Sequence, residues 1–468
     1  VIETIKRWLG LGSKASASPS LASAQRKATT AQGPEGSDAY PGSALGIRVD
    51  QISQAALRTC QTLQQAGYAA YIVGGGVRDS LLGLQPKDFD VATNAEPESI
   101  LKLFRRARII GRRFQIVHVM FGREVIEVTT FRGVQTDAMT DEHGRVLRDN
   151  TFGTLREDAQ RRDFTVNALY YDPQADAVLD FHQGVPDLRS RTLRMIGNPE
   201  QRFREDPVRM LRVARFAAKL SFTIEPGTRA PISSLAELIH NVPAARLFDE
   251  MLKLLMSGQA MACLQQLRQE GLHHGLLPLL DVILEQPNGA SFVELALART
   301  DERVHAGKSV SPGFLFACLL WHPVQERWNT LKAQSEYPIP ALMAAIDTVL
   351  DDQCERLAIQ KRIAADMREI WALQPRLERR GRSAVRLLEH LRFRAGYDFL
   401  LLRCDAAELD PAVGQWWTRF IDADHATREE LLRDPSASAT PKRRRRRKPK
   451  PEAAEAGESA PQSDPVGS

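Results

Sequence analysis

Three consecutive glycines, Gly74–Gly76, stand between a short apolar run, Ala69–Val73, and an amphipathic segment, Val77–Leu82, closed by Gly83. The β-branched and aromatic residues of the run predict a buried strand. The glycines let the backbone approach a phosphate with its N–H groups aimed at it. The stretch continues to Asp88-Phe89-Asp90, so Tyr71–Asp90 reads YIVGGGVRDSLLGLQPKDFD. Carboxylates at i and i+2 on a strand share a face because side chains alternate. Such a pair can hold a divalent cation beside a bound phosphate, the arrangement needed for phosphoryl or nucleotidyl transfer. A dinucleotide-binding turn would need GxGxxG, and Gly83 falls too late for it; a P-loop would need a terminal GK[ST], which is missing. The remaining structural reading of Asp88 and Asp90 is a turn after Pro86.

At 468 residues the chain has room for two or more domains, with the composition of a soluble globular protein. No apolar run is long enough to span a membrane, and Val1–Leu11 lacks the core of a secretory signal. Ile2, Ile5, Trp8 and Leu9 could line one side of a short helix; the expectation is a frayed terminus without stable membrane insertion, in a cytoplasmic protein. The five cysteines form no CxxC and read as reduced, buried thiols. Lys442–Lys450 carries eight of the positive charges, so the rest of the chain is net negative despite the formal charge of +5. A basic arm of this kind points to nucleic acid or another anionic surface, the alternative being a solubility tail.

Residues 12–48, rich in Ser, Ala, Gly, Thr and Pro, read as a disordered extension. Ile52, Ala55, Ala56, Cys60 and Leu63 predict a helix stopped by Gly67. Beyond Asp90, a helix capped by Asn94 uses Ile100, Leu101 and Phe104 as its apolar side. Strands follow over Arg108–Ile110, Ile116–Phe121 and Val125–Phe131. In the last of these Glu127 shares a face with Val125 and Thr129, either as a solvent-facing residue or as a third carboxylate beside Asp88 and Asp90. Gly133–Thr151 reads as a polar loop. Arg161, Arg162 and Asp163 then precede an apolar segment, either as a surface charge cluster or as a substrate-facing arginine pair with an acid.

From Pro199 to about Leu432 the pattern is helical, with segments at Leu235–Ile239, Ala244–Met256, Ala260–Glu270, Phe314–Leu320, Ile339–Leu350 and Ile359–Leu373. Arg212, Arg215 and Lys219, with Arg209, form a basic stripe along one of these helices, the ordinary reading of which is a solvated side. Its position after a phosphate-chemistry region makes it a candidate RNA contact.

At these residues the chain resembles the class II branch of the DNA polymerase beta nucleotidyltransferase superfamily, which holds CCA-adding enzymes and bacterial poly(A) polymerases. GGGVRDSLLGLQPKDFD resembles the branch's catalytic motif, RRDFTVNALYY (Arg161–Tyr171) its second motif, and EDPVRMLRVARFAAKL (Glu205–Leu220) its neck motif. The resemblance implies Asp88 and Asp90 as ligands of two Mg²⁺ ions. Gly74, Gly75, Gly76, Arg78 and Arg162 would hold the nucleotide, and Asp206 and Arg209 would read its base. Asp163 is the third active-site acid by its match to the poly(A) polymerase motif, and Glu127 by the wider superfamily's habit; both are carried, Asp163 first. Arg212, Arg215, Lys219 and, in the tail, Arg443, Arg444 and Arg445 are the RNA-binding candidates. GRRFQIVHVMFG (Gly111–Gly122), IEVTTFRG (Ile126–Gly133) and HLRFRAGYDFLLLR (His390–Arg403) resemble the poly(A) polymerase form rather than the CCA-adding one, the alternative.

The implied fold is α+β: a small mixed-sheet head, residues 49–195, then a helical neck over 196–290 and an arginine-rich body and leg over 291–433. Disordered segments at 1–48 and 434–468 flank it. The implied activity is template-independent transfer of AMP from ATP to RNA 3′ ends, commonly promoting decay, with RNA-decay proteins as partners. A non-catalytic RNA-binding protein on a decayed transferase fold is the reading from another class, and the intact Asp88 and Asp90 speak against it.

Overall fold

The computed structural model describes residues 31–111, 115–133, 151–273, 290–334, 337–381 and 383–433. Expectations for Val1–Leu11, for most of the Gly133–Thr151 loop and for the tail with Arg443, Arg444 and Arg445 fall outside the described residues.

The chain is α+β, with a mixed sheet in its first half and helices after it. Nine strands are β1 (Ala31–Gln32), β2 (Asp38–Pro41), β3 (Ala70–Val73), β4 (Asp90–Thr93), β5 (Ala107–Ile110), β6 (Ile116–Phe121), β7 (Glu124–Thr130), β8 (Leu169–Asp172) and β9 (Ala177–Asp180). They lie in the order β1-β2-β9-β8-β3-β4-β7-β6-β5. Every neighbouring pair is antiparallel except β4 and β7, which run parallel. Alternation sends Ile72, Val91, Ile126, Val128, Val117 and Val119 to one face, where all are buried. Helices α1 (Gln54–Gln65), capped by the Ser53 hydroxyl oxygen, and α3 (Pro97–Leu103) cover that face. Between them in sequence lies α2 (Gly75–Leu81).

Two expectations about this region change. Residues 31–48 are not a disordered extension: β2 pairs with β9 along four residues, and Tyr40, Leu45 and Ile47 are buried in the core. Three apolar side chains suffice because the strand borrows a ready-made sheet edge. Asn94 does not cap α3; its side-chain oxygen accepts from the Ala69 N–H and ties β4 to β3, while Leu101 is exposed.

Helix α4 (Leu155–Arg161) precedes β8, and α5 (Gly184–Ser190), α6 (Pro199–Glu205), α7 (Val208–Leu220) and α8 (Ala244–Leu255) follow β9. Short strands Thr192–Leu193 and Thr223–Ile224 pair in parallel, so β structure reaches past residue 195. Helices at Ala290–His305, Trp321–Ala333, Ala384–Leu388, Phe393–Asp405, Pro411–Asp422 and His425–Arg433 supplement those expected. A separate core joins Leu377, Leu400, Trp416, Trp417 and Phe420 near the end. No helix among the described residues is long and apolar enough to cross a membrane. Cys60, Cys263, Cys318 and Cys404 are buried and, like Cys354, unbridged.

The basic stripe of α7 is not uniform: Lys219 is exposed, Arg209 and Arg212 are partly buried at a cleft, and Arg215 faces inward. Arg215 is 7% exposed, pairs with buried Glu250 of α8 and stacks on Phe216. Removing one partner of a buried ion pair strands the other charge, at about 3–5 kcal/mol, whereas replacing both with apolar residues is close to neutral. Glu250→Ala is therefore expected to destabilise by about that amount, and Arg215→Met with Glu250→Leu by much less, as read by urea denaturation.

Candidate active site

Val73 pairs with Asp90, so the glycine turn begins one residue beyond Asp90's neighbour across the ladder. Gly74 has φ +71°, a conformation that L side chains rarely adopt. Gly76 is required for packing: a Cβ there would stand 2.9 Å from Phe89 Cδ1. The buried Phe89 ring thus pins the acid segment under the turn; β4 begins only at Asp90, so Asp88 stands on the loop before the strand and not on it, and both acids are exposed. The first N–H groups of α2 have no carbonyl ahead of them in the helix.

On the other side of β4, the parallel register sets Glu127 directly beside Asp90. Arg162 closes the group. Its Nη1 is 3.5 Å from where a Cβ on Gly74 would stand, and its charge acts on Asp90. Tyr170 Oη at 2.9 Å and Asp158 at 3.2 Å hold the Arg162 guanidinium, which lies over the Tyr170 ring. Asp90 is exposed to water on one side while protein groups crowd it on the other. Loss of surrounding water, then the neighbouring Glu127 and Asp88 charges, push its carboxyl up to about 6, against the opposing pull of Arg162. Negative charge here exceeds what the chain itself neutralises.

The sign for stability follows. Asp90's pKa in the folded chain, about 6, is above the 3.8 of an ordinary aspartate, so the folded state gains from the proton at low pH and loses that gain as pH rises through about 6. In metal-free buffer Asp90→Asn is expected to raise the melting temperature at pH 8, with the difference vanishing below about pH 4. Thermal melts across pH in a chelator check this.

A second cleft, of roughly 410 Å³, opens between the second motif, α7 and α8, lined by Asp163, Asp206, Arg209, Arg212, Arg246 and Lys253 among others. Asp163 lies here and not among the other acids. Its Oδ2 accepts from Arg212 Nε at 2.9 Å and from Nη2, and its Oδ1 accepts from the Phe164 N–H and from Asn167 Nδ2. Burial alone would raise its pKa, but Arg212 and these bonds hold it below the usual carboxylate range. Asp206 Oδ2 accepts from Arg246 at 2.9 Å, while its Oδ1 is buried without a partner. Arg209 Nη1 donates to the Arg202 carbonyl at 2.7 Å and to Glu205 at 3.1 Å.

Arg78 is 3% exposed. Asp79 takes its Nε, and Asn167 Oδ1 takes its Nη1 at 2.6 Å. It braces the turn from beneath, buried at the position where a triphosphate ligand was expected. The bonds run on from Asp79 through Arg78, Asn167 and Asp163 to Arg212, tying the glycine turn to α7. The expected residues thus divide three ways. Asp88, Asp90, Glu127, Gly74 and Arg162 surround one site; Asp163, Asp206, Arg209 and Arg212 surround the other; Arg78 and Arg215 are buried in ion pairs with Asp79 and Glu250, and Lys219 is exposed on α7. Sequence reasoning missed Asn167, Tyr170 and Asp158, which position the charged groups. Their one signal was the placement of polar residues inside the apolar part of RRDFTVNALYY and in the preceding helix.

An acid pair under a glycine turn, with a third carboxylate on the parallel strand and helices behind, is the head of a nucleotidyltransferase. A model of the poly A polymerase head domain matches residues 70–194, one described as a probable RNA and SrmB-binding site of polymerase A matches 221–284, and one of the polymerase A arginine-rich C-terminus matches 334–451. Poly(A) polymerase I of Salmonella typhi is 45% identical over 408 residues, 84% of this chain and 87% of that protein. A CCA-adding enzyme of Levilactobacillus brevis is 43% identical over 202 residues, which is 43% of this chain and 49% of that enzyme. Among solved structures, a CCA-adding enzyme in apo form II shares the fold with a TM-score of 0.53 at 19% identity, over 84% of this chain and 98% of that one. The chain belongs to the bacterial poly(A) polymerase family.

Proposed function

We infer that the protein is a polynucleotide adenylyltransferase, adding AMP from ATP to RNA 3′ hydroxyls without a template and releasing pyrophosphate. The observation that carries the chemistry is the register of Asp90 between the glycine turn and Glu127. The residues fit a divalent metal: the donors are carboxylate oxygens, and their charge is under-compensated. Among the described residues no group of three or more His, Cys, Asp or Glu is arranged to hold a metal by itself. Mg²⁺ commonly takes one or two carboxylates and completes its shell with water and substrate phosphates. Asp88 and Asp90 would hold two Mg²⁺ ions, which supply activation of the attacking hydroxyl and neutralisation of the leaving pyrophosphate.

The chain's own residues do the rest. The N–H groups at the start of α2 and the Arg162 guanidinium bind the triphosphate. Glu127 completes the acid set beside Asp90. Asp206 Oδ1, buried and unpaired, accepts from the amino group of adenine, and Arg209 supplies the matching donor. Asp163 holds Arg212 in place for that cleft. Residues 49–195 with the added strands β1 and β2 act as the catalytic head, 196–290 as the neck, and 291–433 as the body and leg. The product marks RNA for decay in the cytoplasm, where decay proteins meet it.

The test is nucleotide choice. With Mg²⁺, a generic RNA and each nucleoside triphosphate separately, long A tails on many RNAs are expected. Addition of only C, C and A to tRNA would overturn the reading in favour of CCA addition.

A further inference from the structure

Strand registers align more than Asp90 and Glu127. Glu127 pairs with His118 on β6, and His118 with Arg108 on edge strand β5. Directly opposite residues share a face, so Asp90, Glu127, His118 and Arg108 form one row from the acid site to the free edge. Three strand spacings of about 4.8 Å make it roughly 14 Å long. Beside it, Val125 pairs with Met120, and the ladder reaches Arg106, whose carbonyl accepts from the Met120 N–H at 2.9 Å. On the far side Ile110 pairs with Ile116.

Over β5–β7 this face is open, whereas α1 and α3 cover the opposite one; over β3 and β4 the same face is closed by Leu155 and Ala159 of α4 against Val73 and Ala92. Arg106, Arg108 and Glu127 are exposed, and so are the apolar Val125 (44%) and Ile110 (37%). Neither Arg106 nor Arg108 has an acidic partner among the described residues, although ion pairing occupies most arginines of the second cleft. His118 Nε2 is 3.5 Å from Glu127 Oε1, and its ring sits half-buried midway along the row. Charge on an edge strand also discourages pairing with other chains, but either face would serve that purpose. The register puts Arg108 on the face that carries the acids, and Arg106 stands in the turn just before β5, tied to β6 through the Met120 N–H.

We propose that this open face is the track for the 3′-terminal nucleotides of the RNA, with Arg106 and Arg108 holding backbone phosphates a few nucleotides upstream of the reacting end. Apolar floor, one flat ring and a cationic rim are what sequence-tolerant single-strand binding uses. The track runs straight into the acid row, so the terminal hydroxyl arrives beside Asp90. The proposal rests on the polyadenylating reading for its substrate, but its test reads binding alone.

Measure affinity of the full chain for a long oligo(A) and for oligo(A) of three nucleotides, across KCl concentrations, in wild type, Arg106→Ala/Arg108→Ala and Arg106→Lys/Arg108→Lys. The alanine variant is expected to bind the long oligomer about tenfold more weakly, with the log–log salt slope reduced by about 0.7 per lost phosphate contact. Affinity for ATP and for the short oligomer stays near wild type, and the lysine variant keeps most of the slope. An unchanged slope, or equal losses on long and short oligomers, would overturn the track. Failure of the wild type to extend any RNA with ATP would instead sink the activity and leave these binding results standing.

Discussion

Asp88→Ala combined with Asp90→Ala abolishes AMP incorporation while leaving RNA binding and folding intact. Metal-assisted charge stabilisation is worth several kcal/mol, and each 1.36 kcal/mol is tenfold in rate, so the loss is on the order of a thousandfold or more. The fold does not depend on these acids: Phe89 between them does the packing, and Asp90 stands in a crowd of like charge. The melting temperature of the metal-free double variant therefore does not fall at pH 8. Single-turnover incorporation of labelled AMP, run beside an RNA-binding assay and a thermal melt, separates the three quantities. Tailing that persisted would remove Asp88 and Asp90 from the metal assignment.

The glycine turn and acid pair were legible in the sequence because their physics is local. Strand, turn and acids are neighbours in the chain, and one contact, Phe89 beneath Gly76, locks them together. Alternation along β7 was equally readable: Ile126 and Val128 are buried, and Glu127 faces out. Which strand lies beside it was not, since residues paired between β4 and β7, such as Asp90 and Glu127, are 37 positions apart in the chain. The stripe on α7 was misread for a related reason. Periodicity puts Arg212 and Arg215 on one side, but only tertiary structure brings Asp163 and Glu250 against them. Strand β2 was missed because DAYP, amid Ser, Gly and Pro, has too little apolar content to stand alone. Its stability comes from the β9 edge. The same limit hid Arg108, whose place in the row appears only once four strands are aligned, and Arg106 in the turn beside it.

Glu127 and Asp163 are separated by what each is expected to do when neutralised. Glu127→Gln keeps the shape and removes a charge that touches only Asp90's surroundings and His118. A drop in kcat on the order of a hundredfold or more is expected, since removing one group aimed at developing charge commonly costs that much. The Mg²⁺ requirement rises, and the melting temperature holds, because relief of repulsion at Asp90 offsets any lost contact. Asp163→Asn strips Arg212 of its counter-charge inside the protein. Breaking a buried pair costs about 3–5 kcal/mol, and Arg212 keeps some contact with water, so about 2–3 kcal/mol is expected. Arg212 is then free to turn toward Glu250, 4.0 Å away, which distorts the cleft holding Asp206. KM for ATP rises and discrimination between ATP and other triphosphates weakens, with kcat the less affected parameter. Paired urea titrations and steady-state kinetics on both variants read every one of these quantities. A stable Asp163→Asn protein with no measurable kcat, beside an active Glu127→Gln, would exchange the roles: Asp163 would be the third acid, reached by a closure of the second cleft onto the first.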